Sequence, residues 1–242
     1  MLSDAMEDYL KAVYVLQAET GPPVATSAIA EYLDVTAPTV SSMVADLEER
    51  SLLEREKYEG VELTDEGETV ALEVLRHHRL IEAYLAERLD YDWSDVHDEA
   101  DRLEHHISEE FERRVADVLD DPEVDPHGDP IPGADLSPPA SRPGTRVHEL
   151  EEGDRAVVDR VHDADAEILD YLKDAGLTPE TRLTVEEVAP FGMVTIRPLD
   201  AGSVSLPESV ARSVQVRRLD GSADDADRDA RDADDEPRVE EA

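Results

Sequence analysis

The chain has 242 residues, with 62 acidic against 23 basic side chains for a formal net charge of −39, and no cysteine. The missing thiols exclude disulfides, thiolate metal sites and cysteine nucleophiles. The acids sit between well-patterned apolar positions, and only Lys11, Lys57 and Lys173 among the basic residues are lysines, the surface expected of a halophilic protein whose self-repulsion is screened by concentrated salt.

Residues 4–18 carry Leu10, Val13, Tyr14, Val15 and Leu16 in a helical pattern that stops at Gly21-Pro22-Pro23. Thr26-Ser27 can cap a short helix through Leu33, and Asp34-Val35-Thr36-Ala37 reads as a tight turn. Pro38 suits the first turn of a helix that continues through Val40, Met43, Val44 and Leu47 to about Ser51. Leu52–Glu56 and Val61–Thr64 flank Tyr58-Glu59-Gly60 as a hairpin. Helix, short helix, turn, helix and hairpin is a winged helix-turn-helix order, expected over residues 1–63.

Thr64-Asp65-Glu66 opens a long helix to about Leu89, with acids in its first turn where the helix dipole favours them. A further helix is expected from Asp92 or Ser94 to about Leu119, closing a helical region at 64–120. Residues 121–145 are rich in Pro, Gly and Asp and read as a linker or irregular loop. Beyond it, strands are expected at Arg155–Val161, Val185–Val188, Met193–Ile196 and Val214–Val216, with a helix at Glu167–Ala175 ended by Gly176. A small β-barrel at 146–219 fits this pattern. Residues 220–242 hold eleven acids and three arginines and read as a disordered acidic tail.

The chemistry concentrates at 97–105. If helical, His97, Asp101, Glu104 and His105 fall at i, i+4, i+7 and i+8 on one face. Twenty residues earlier, His78 and Glu82 form a second pair at i, i+4. Nitrogen and oxygen donors without sulfur suit manganese, iron(II) or zinc. The bland alternative is a solvated polar helix face; two such clusters beside a DNA-binding pattern favour a metal sensor.

Met6-Glu7-Asp8-Tyr9-Leu10, Pro38-Thr39-Val40-Ser41, His78-Arg79-Leu80-Ile81-Glu82, Val96-His97-Asp98-Glu99-Ala100, Glu104-His105 and Gly128-Asp129-Pro130-Ile131-Pro132-Gly133 occur in one order. In these pieces the chain, over roughly residues 4–218, resembles the diphtheria toxin repressor family of iron- and manganese-dependent transcriptional regulators. The resemblance implies a mainly α chain with a small β portion: a winged-helix domain, a helical dimerisation and metal-binding domain, and a C-terminal SH3-like (FeoA-like) barrel. It implies a primary metal site at Asp8, Asp101, Glu104 and His105, and an ancillary site at His78, Glu82 and His97, with Asp165 as the best candidate from the barrel domain. Asp8 and Asp101 stand where iron-type members place Met and Cys, so the primary site looks closer to the manganese type. Manganese-type members also have a Glu where this chain has Lys11. A cation there opposes a second metal, so one primary ion of Mn(II) or Fe(II) and at most one ancillary ion are expected.

A metal bridging Asp8 to the residues beyond the hinge would bias the two domains toward a DNA-competent dimer. The recognition helix should begin near Pro38, and double-stranded DNA with a palindromic operator is the expected partner. The candidate contacts are Ser27, Thr36, Pro38, Thr39, Ser41, Ser42, Arg50 and Lys57. Residues 1–63 nevertheless hold thirteen acids and four basic residues, so the usual basic footprint is absent. A metalloenzyme is disfavoured, because neither His-Glu-x-x-His nor Glu-x-x-His spacing occurs in the chain. A winged-helix regulator of another ligand and a metal-binding protein without DNA regulation are the other readings. No apolar run reaches a membrane span and the acidic N-terminus is unlike a signal peptide, so a cytoplasmic location is expected.

Overall fold

The computed structural model describes residues 2–56, 60–140, 144–162 and 166–219. Lys57, Asp165 and the acidic segment 220–242 lie outside the described residues.

The N-terminal part is built on α1 (Asp4–Thr20), α2 (Thr26–Tyr32) and α3 (Ala37–Glu49). Leu10, Val13 and Leu16 of α1 are buried with Ile29 of α2 and Val40, Val44 and Leu47 of α3, and each such side chain contributes roughly 1.5–3 kcal/mol. Thr36 caps α3, its Oγ1 accepting from the Thr39 amide at 3.4 Å, and Pro38 sits in the first turn, where no backbone donor is needed. Strands β1 (Leu53–Glu56) and β2 (Gly60–Leu63) pair antiparallel, Leu53 opposite Leu63. Val61 exchanges backbone hydrogen bonds with Val24 at 2.8 and 2.9 Å, tying the hairpin to the entry of α2.

Helix α4 (Asp65–Leu89) starts at Thr64, whose Oγ1 accepts from the Gly67 amide at 3.1 Å. It is buried along most of its length, and its buried set includes Arg76, His77, His78 and Glu82. Buried polar groups are costly unless partnered, and residues C-terminal to α4 supply the partners. The helix expected from Ser94 to Leu119 is two: α5 (Val96–Leu103) and α6 (Glu109–Val118). At the break, the Glu104 carbonyl accepts from His77 Nδ1 at 3.1 Å, a side-chain partner for a helix-end carbonyl. Ser108 then restarts the chain as a cap, its Oγ accepting from the Phe111 amide at 3.3 Å, with Glu109, Glu110 and Glu112 in the first turn.

The segment that reads as a linker is ordered against both neighbours. Asp125, His127 and Asp129 are buried, and Asp125 Oδ1 accepts from the His127 and Asp129 amides at 2.8 and 2.9 Å. Gly128 has φ +91°, and a Cβ there would lie 2.2 Å from the Asp159 carbonyl oxygen, so only glycine allows so close an approach.

The C-terminal part is a six-stranded antiparallel sheet in the order β3-β8-β4-β5-β6-β7. Its strands are β3 (Thr145–Arg146), β4 (Arg155–Val161), β5 (Arg182–Val188), β6 (Val194–Pro198), β7 (Val204–Leu206) and β8 (Val214–Arg218), with α7 (Ala166–Asp174) and α8 (Glu208–Ser213) between them. The expected barrel is not closed: β3 and β7, two and three residues long, remain edges. Val158, Leu169, Leu172, Ile196, Leu206 and Val216 form the core, and Trp93 packs against it from the helical part. Among the described residues no helix is long and apolar enough to cross a membrane.

Candidate metal centre

Helix α1 has a second face. While Leu10, Val13 and Leu16 enter the core, Asp8, Lys11 and Val15 line a cavity of about 680 Å³ that also reaches His78, Glu82, His97, Asp98 and Asp101. Across this cavity α1 meets the α5 end. His105 donates from Nε2 to Asp8 Oδ1 at 3.0 Å and from Nδ1 to Glu7 Oε2 at 2.7 Å. Lys11 Nζ donates to Asp101 Oδ1 at 3.0 Å and to both Glu104 oxygens at 2.7 and 3.0 Å. Asp8, Glu104 and His105 offer ligand atoms within 4.8 Å of one another.

The ancillary candidates lie directly beside them. His78 Nδ1 is 2.5 Å from Glu104 Oε2 and 3.3 Å from Asp101 Oδ1, while its Nε2 is 3.1 Å from Glu82 Oε1 and 3.1 Å from His97 Nδ1. Asp101 falls within 4.8 Å of His78 and His97, and it shares Lys11 with Glu104. The two residue sets read from sequence are therefore one continuous cluster, with Asp101 and Lys11 at the seam. Of the eight predicted metal residues, Asp165 alone lies outside the described residues.

Charge organises this cluster. Burial disfavours the Lys11 ammonium, but Glu104 and Asp101 outweigh that and raise its pKa above the ordinary lysine value. Burial likewise opposes the His78 imidazolium, yet Glu82, Asp101 and Glu104 raise its pKa well above the usual histidine range. For His105, burial is outweighed by the hydrogen bond to Glu7 and by Glu104 and Asp8, and the pKa is again raised. Asp101 and Glu104 respond in kind: burial pushes them up, while His78 and Lys11 hold both below the usual carboxylate range. Asp8 is raised, because its burial outweighs His105 and Lys11. Carboxylates and imidazoles without sulfur fit a divalent first-row ion. Such an ion must take the place of protons on the two histidines.

The described DNA-contact candidates Ser27, Thr36, Pro38, Thr39, Ser41, Ser42 and Arg50 are all exposed on α2, α3 and their flanks; Lys57 lies outside the described residues. Glu7, Asp125 and His127 are not among the site residues read from the sequence. Glu7 directly precedes Asp8, and its acidity was the only available signal. Asp125 and His127 are hidden in a Pro/Gly-rich stretch.

A helix-turn-helix with its hairpin, joined through one shared helix to a carboxylate–imidazole cluster, defines the class of metal-responsive DNA-binding regulators. Residues 1–61 match the family described as "Iron dependent repressor, N-terminal DNA binding domain" and residues 64–133 match "Iron dependent repressor, metal binding and dimerisation domain". Residues 145–218 match the FeoA domain. The chain is 37% identical over 230 residues to the iron-dependent repressor IdeR of Mycobacterium tuberculosis, covering 90% of this chain and 99% of that protein. It is 41% identical over 150 residues to the diphtheria toxin repressor of Corynebacterium diphtheriae, covering 60% and 66%. A solved manganese-dependent transcriptional repressor in complex with manganese superposes with a TM-score of 0.82 at 36% identity, covering 88% of this chain and all of that one. The chain belongs to the iron-dependent repressor family, a family of DNA-binding, dimerising transcriptional repressors rather than enzymes.

Proposed function

We propose that this protein represses transcription when Mn(II) or Fe(II) occupies a primary site made of Asp8, Asp101, Glu104 and His105, with His78, Glu82 and His97 as the ancillary set. The observation that carries this reading is the meeting of α1 with the α5 end: His105 lies 3.0 Å from Asp8, 97 residues apart in the chain. Asp8 belongs to the helix whose other face builds the DNA-binding core, so whatever fixes Asp8 against His105 fixes that core against the helical region. A bound divalent ion supplies positive charge to donors from both sides at once. The harder oxygen donors at Asp8 and Asp101 favour manganese.

The residues that bind DNA in this reading are Ser27, Thr36, Pro38, Thr39, Ser41, Ser42, Arg50 and Lys57, with small hydroxyls and the α3 N-terminus facing phosphates and base edges. A two-fold dimer formed through residues 64–120 and a palindromic operator complete it. The winged-helix part is assigned to 1–63, the connecting segment to 121–145, the SH3-like part to 146–219 and the acidic tail to 220–242. The test is DNA binding to the protein's own upstream region at high salt, with and without Mn²⁺ or Fe²⁺. Metal-dependent retention supports the proposal; binding indifferent to metal overturns it.

A further inference from the structure

We propose that His77 is a positioning residue for Glu104: it holds the Glu104 peptide in place with or without an ion, and so sets how tightly the primary site takes its metal. The proposal rests on the primary site named above. His77 is buried and belongs to none of the ligand groups that the described residues form.

Two consecutive residues of α4 grip Glu104, one at its side chain and one at its main chain. His78 Nδ1 stands 2.5 Å from the carboxylate oxygen Oε2, while His77 Nδ1 donates to the backbone carbonyl at 3.1 Å. A carbonyl only accepts, so this bond fixes a ring proton on His77 Nδ1. The carbonyl needs such a donor, because Glu104 closes α5. In an unbroken helix the Ser108 amide would bond it; Ser108 is instead extended, φ −98° and ψ 155°, as the cap of α6. The far side of the His77 ring is held as well. Its Nε2 lies 3.3 Å from Glu112 Oε2 on α6. Glu112 is itself fixed by Arg76 Nε at 2.5 Å, and Arg76 Nη1 donates to the Pro132 carbonyl oxygen at 2.7 Å.

The two grips differ in what an ion does to them. The Glu104 carboxylate is engaged by Lys11 and His78, and a metal that takes its oxygens displaces those contacts. The bond from His77 uses no donor atom of the site, so it persists when the ion arrives. It is the one hold on Glu104 among these three that the metal does not contest. A ligand already held in place needs less ordering on binding, and partners of this kind behind a ligand are typically worth about 10–100-fold in metal affinity.

The test compares two amide substitutions in the full chain. Asparagine carries its amide nitrogen where histidine carries Nδ1, and glutamine carries it where histidine carries Nε2. His77→Asn therefore keeps the bond to the Glu104 carbonyl, whereas His77→Gln loses it and still reaches Glu112. Primary-site Mn²⁺ affinity, read from the free-ion EPR signal during titration, should fall about tenfold in His77→Gln and stay close to wild type in His77→Asn. Denaturant unfolding of the metal-free variants is measured alongside. A purely structural residue would lower stability and leave the Mn²⁺ affinity of the folded protein alone, so equal affinities in the two variants, whether at or below the wild-type value, overturn the proposal. If the variants do not fold, a crystal structure of the Mn²⁺-loaded wild type decides: the His77 bond intact with the ion on the Glu104 carboxylate supports it, and a carbonyl swung away from His77 overturns it. His105→Ala reports on the site itself. Unchanged Mn²⁺ affinity there removes the primary site and this proposal with it; a loss there, with equal values in the two His77 variants, removes only the role of His77.

Discussion

The metal centre and the α3 surface are opposites in how they are completed. In the centre, Lys11, His78 and His105 already sit within hydrogen-bond distance of Asp101, Glu104, Glu82 and Asp8, and most of these groups are pushed from their ordinary protonation behaviour. On α3, Thr39, Ser41 and Ser42 are exposed; Ser41 Oγ donates only back to the Ala37 carbonyl, and Thr39 pairs with the Thr36 cap. In the proposed function the centre is therefore a site of exchange, in which an arriving ion would replace protons and compete with a built-in ammonium. The candidate contacts on α3, Pro38, Thr39, Ser41 and Ser42, carry no carboxylate or imidazole. In the proposed function these contacts respond to metal through where α1 places them.

The largest expected effect breaks that dependence at its source. Asp8→Ala or His105→Ala should lower metal-stimulated operator affinity about 100-fold or more, because the two-state bias loses its link across the hinge. Gel shift at saturating Mn²⁺ measures it, and an unchanged metal response would show the primary site lies elsewhere. Thr39→Ala with Ser42→Ala should do the converse, weakening DNA binding while leaving Mn²⁺ affinity by calorimetry at the wild-type value.

Lys11→Gln sharpens the idea of exchange, because its two readouts move in opposite directions. Removing one partner from a buried ion pair costs about 3–5 kcal/mol, so denaturant unfolding of the metal-free variant should show a loss of that order. Mn²⁺ should bind the same variant more tightly and restore much of the stability. If both quantities fall, the ammonium is part of the metal-bound arrangement and not its competitor.

The pH dependence is gentler, and its sign is set by the two histidines. His78 and His105 have folded pKa values above the unfolded one. Their stabilisation of the metal-free fold is present below the unfolded pKa and is lost as pH rises through the folded values. Metal affinity must rise over that same interval, since the ligating imidazoles are neutral. Calorimetry in buffers of different ionisation enthalpy should detect proton release on Mn²⁺ binding, and a buffer-independent heat would contradict it. His78→Ala, which touches the ancillary set, should give the mildest change: operator binding stays metal-dependent, with its midpoint moved to higher Mn²⁺.

Local signals made much of this legible. Pro22-Pro23 and Pro38 punctuate the N-terminal helices sharply enough that their limits were legible to within two residues, although Thr36, which caps α3, read only as part of a turn. The spacing of His97, Asp101, Glu104 and His105 marked them as candidate donors, though their face is not one helix: the chain breaks at Glu104. Ser108 with three acids behind it was the sign of that break, masked by the continuing apolar pattern through Val115. Non-local facts were invisible. Only the family resemblance set Lys11 beside the carboxylates of the primary site, Glu104 among them, 93 residues away, and nothing in the sequence brings His78 within 2.5 Å of Glu104. At 125–129 Pro and Gly signalled irregular backbone correctly, but not that Asp125, His127 and Asp129 are buried. Strands β3 and β7 are too short to carry a two-residue alternation, so the sheet's open edges could not be foreseen.

Helix α1 is inherited as one object with two obligations. Leu10, Val13 and Leu16 answer to the DNA-binding core, while Asp8 and Lys11, interleaved among them, answer to Glu104, Asp101 and His105. A slip of one residue in its register rotates both faces at once, so neither can drift independently. A chimera that grafts residues 1–63 onto another family member's helical region would thus arrive with half of the proposed metal site. It should recover regulation only if the recipient's counterparts of Asp101, Glu104 and His105 are exchanged along with it.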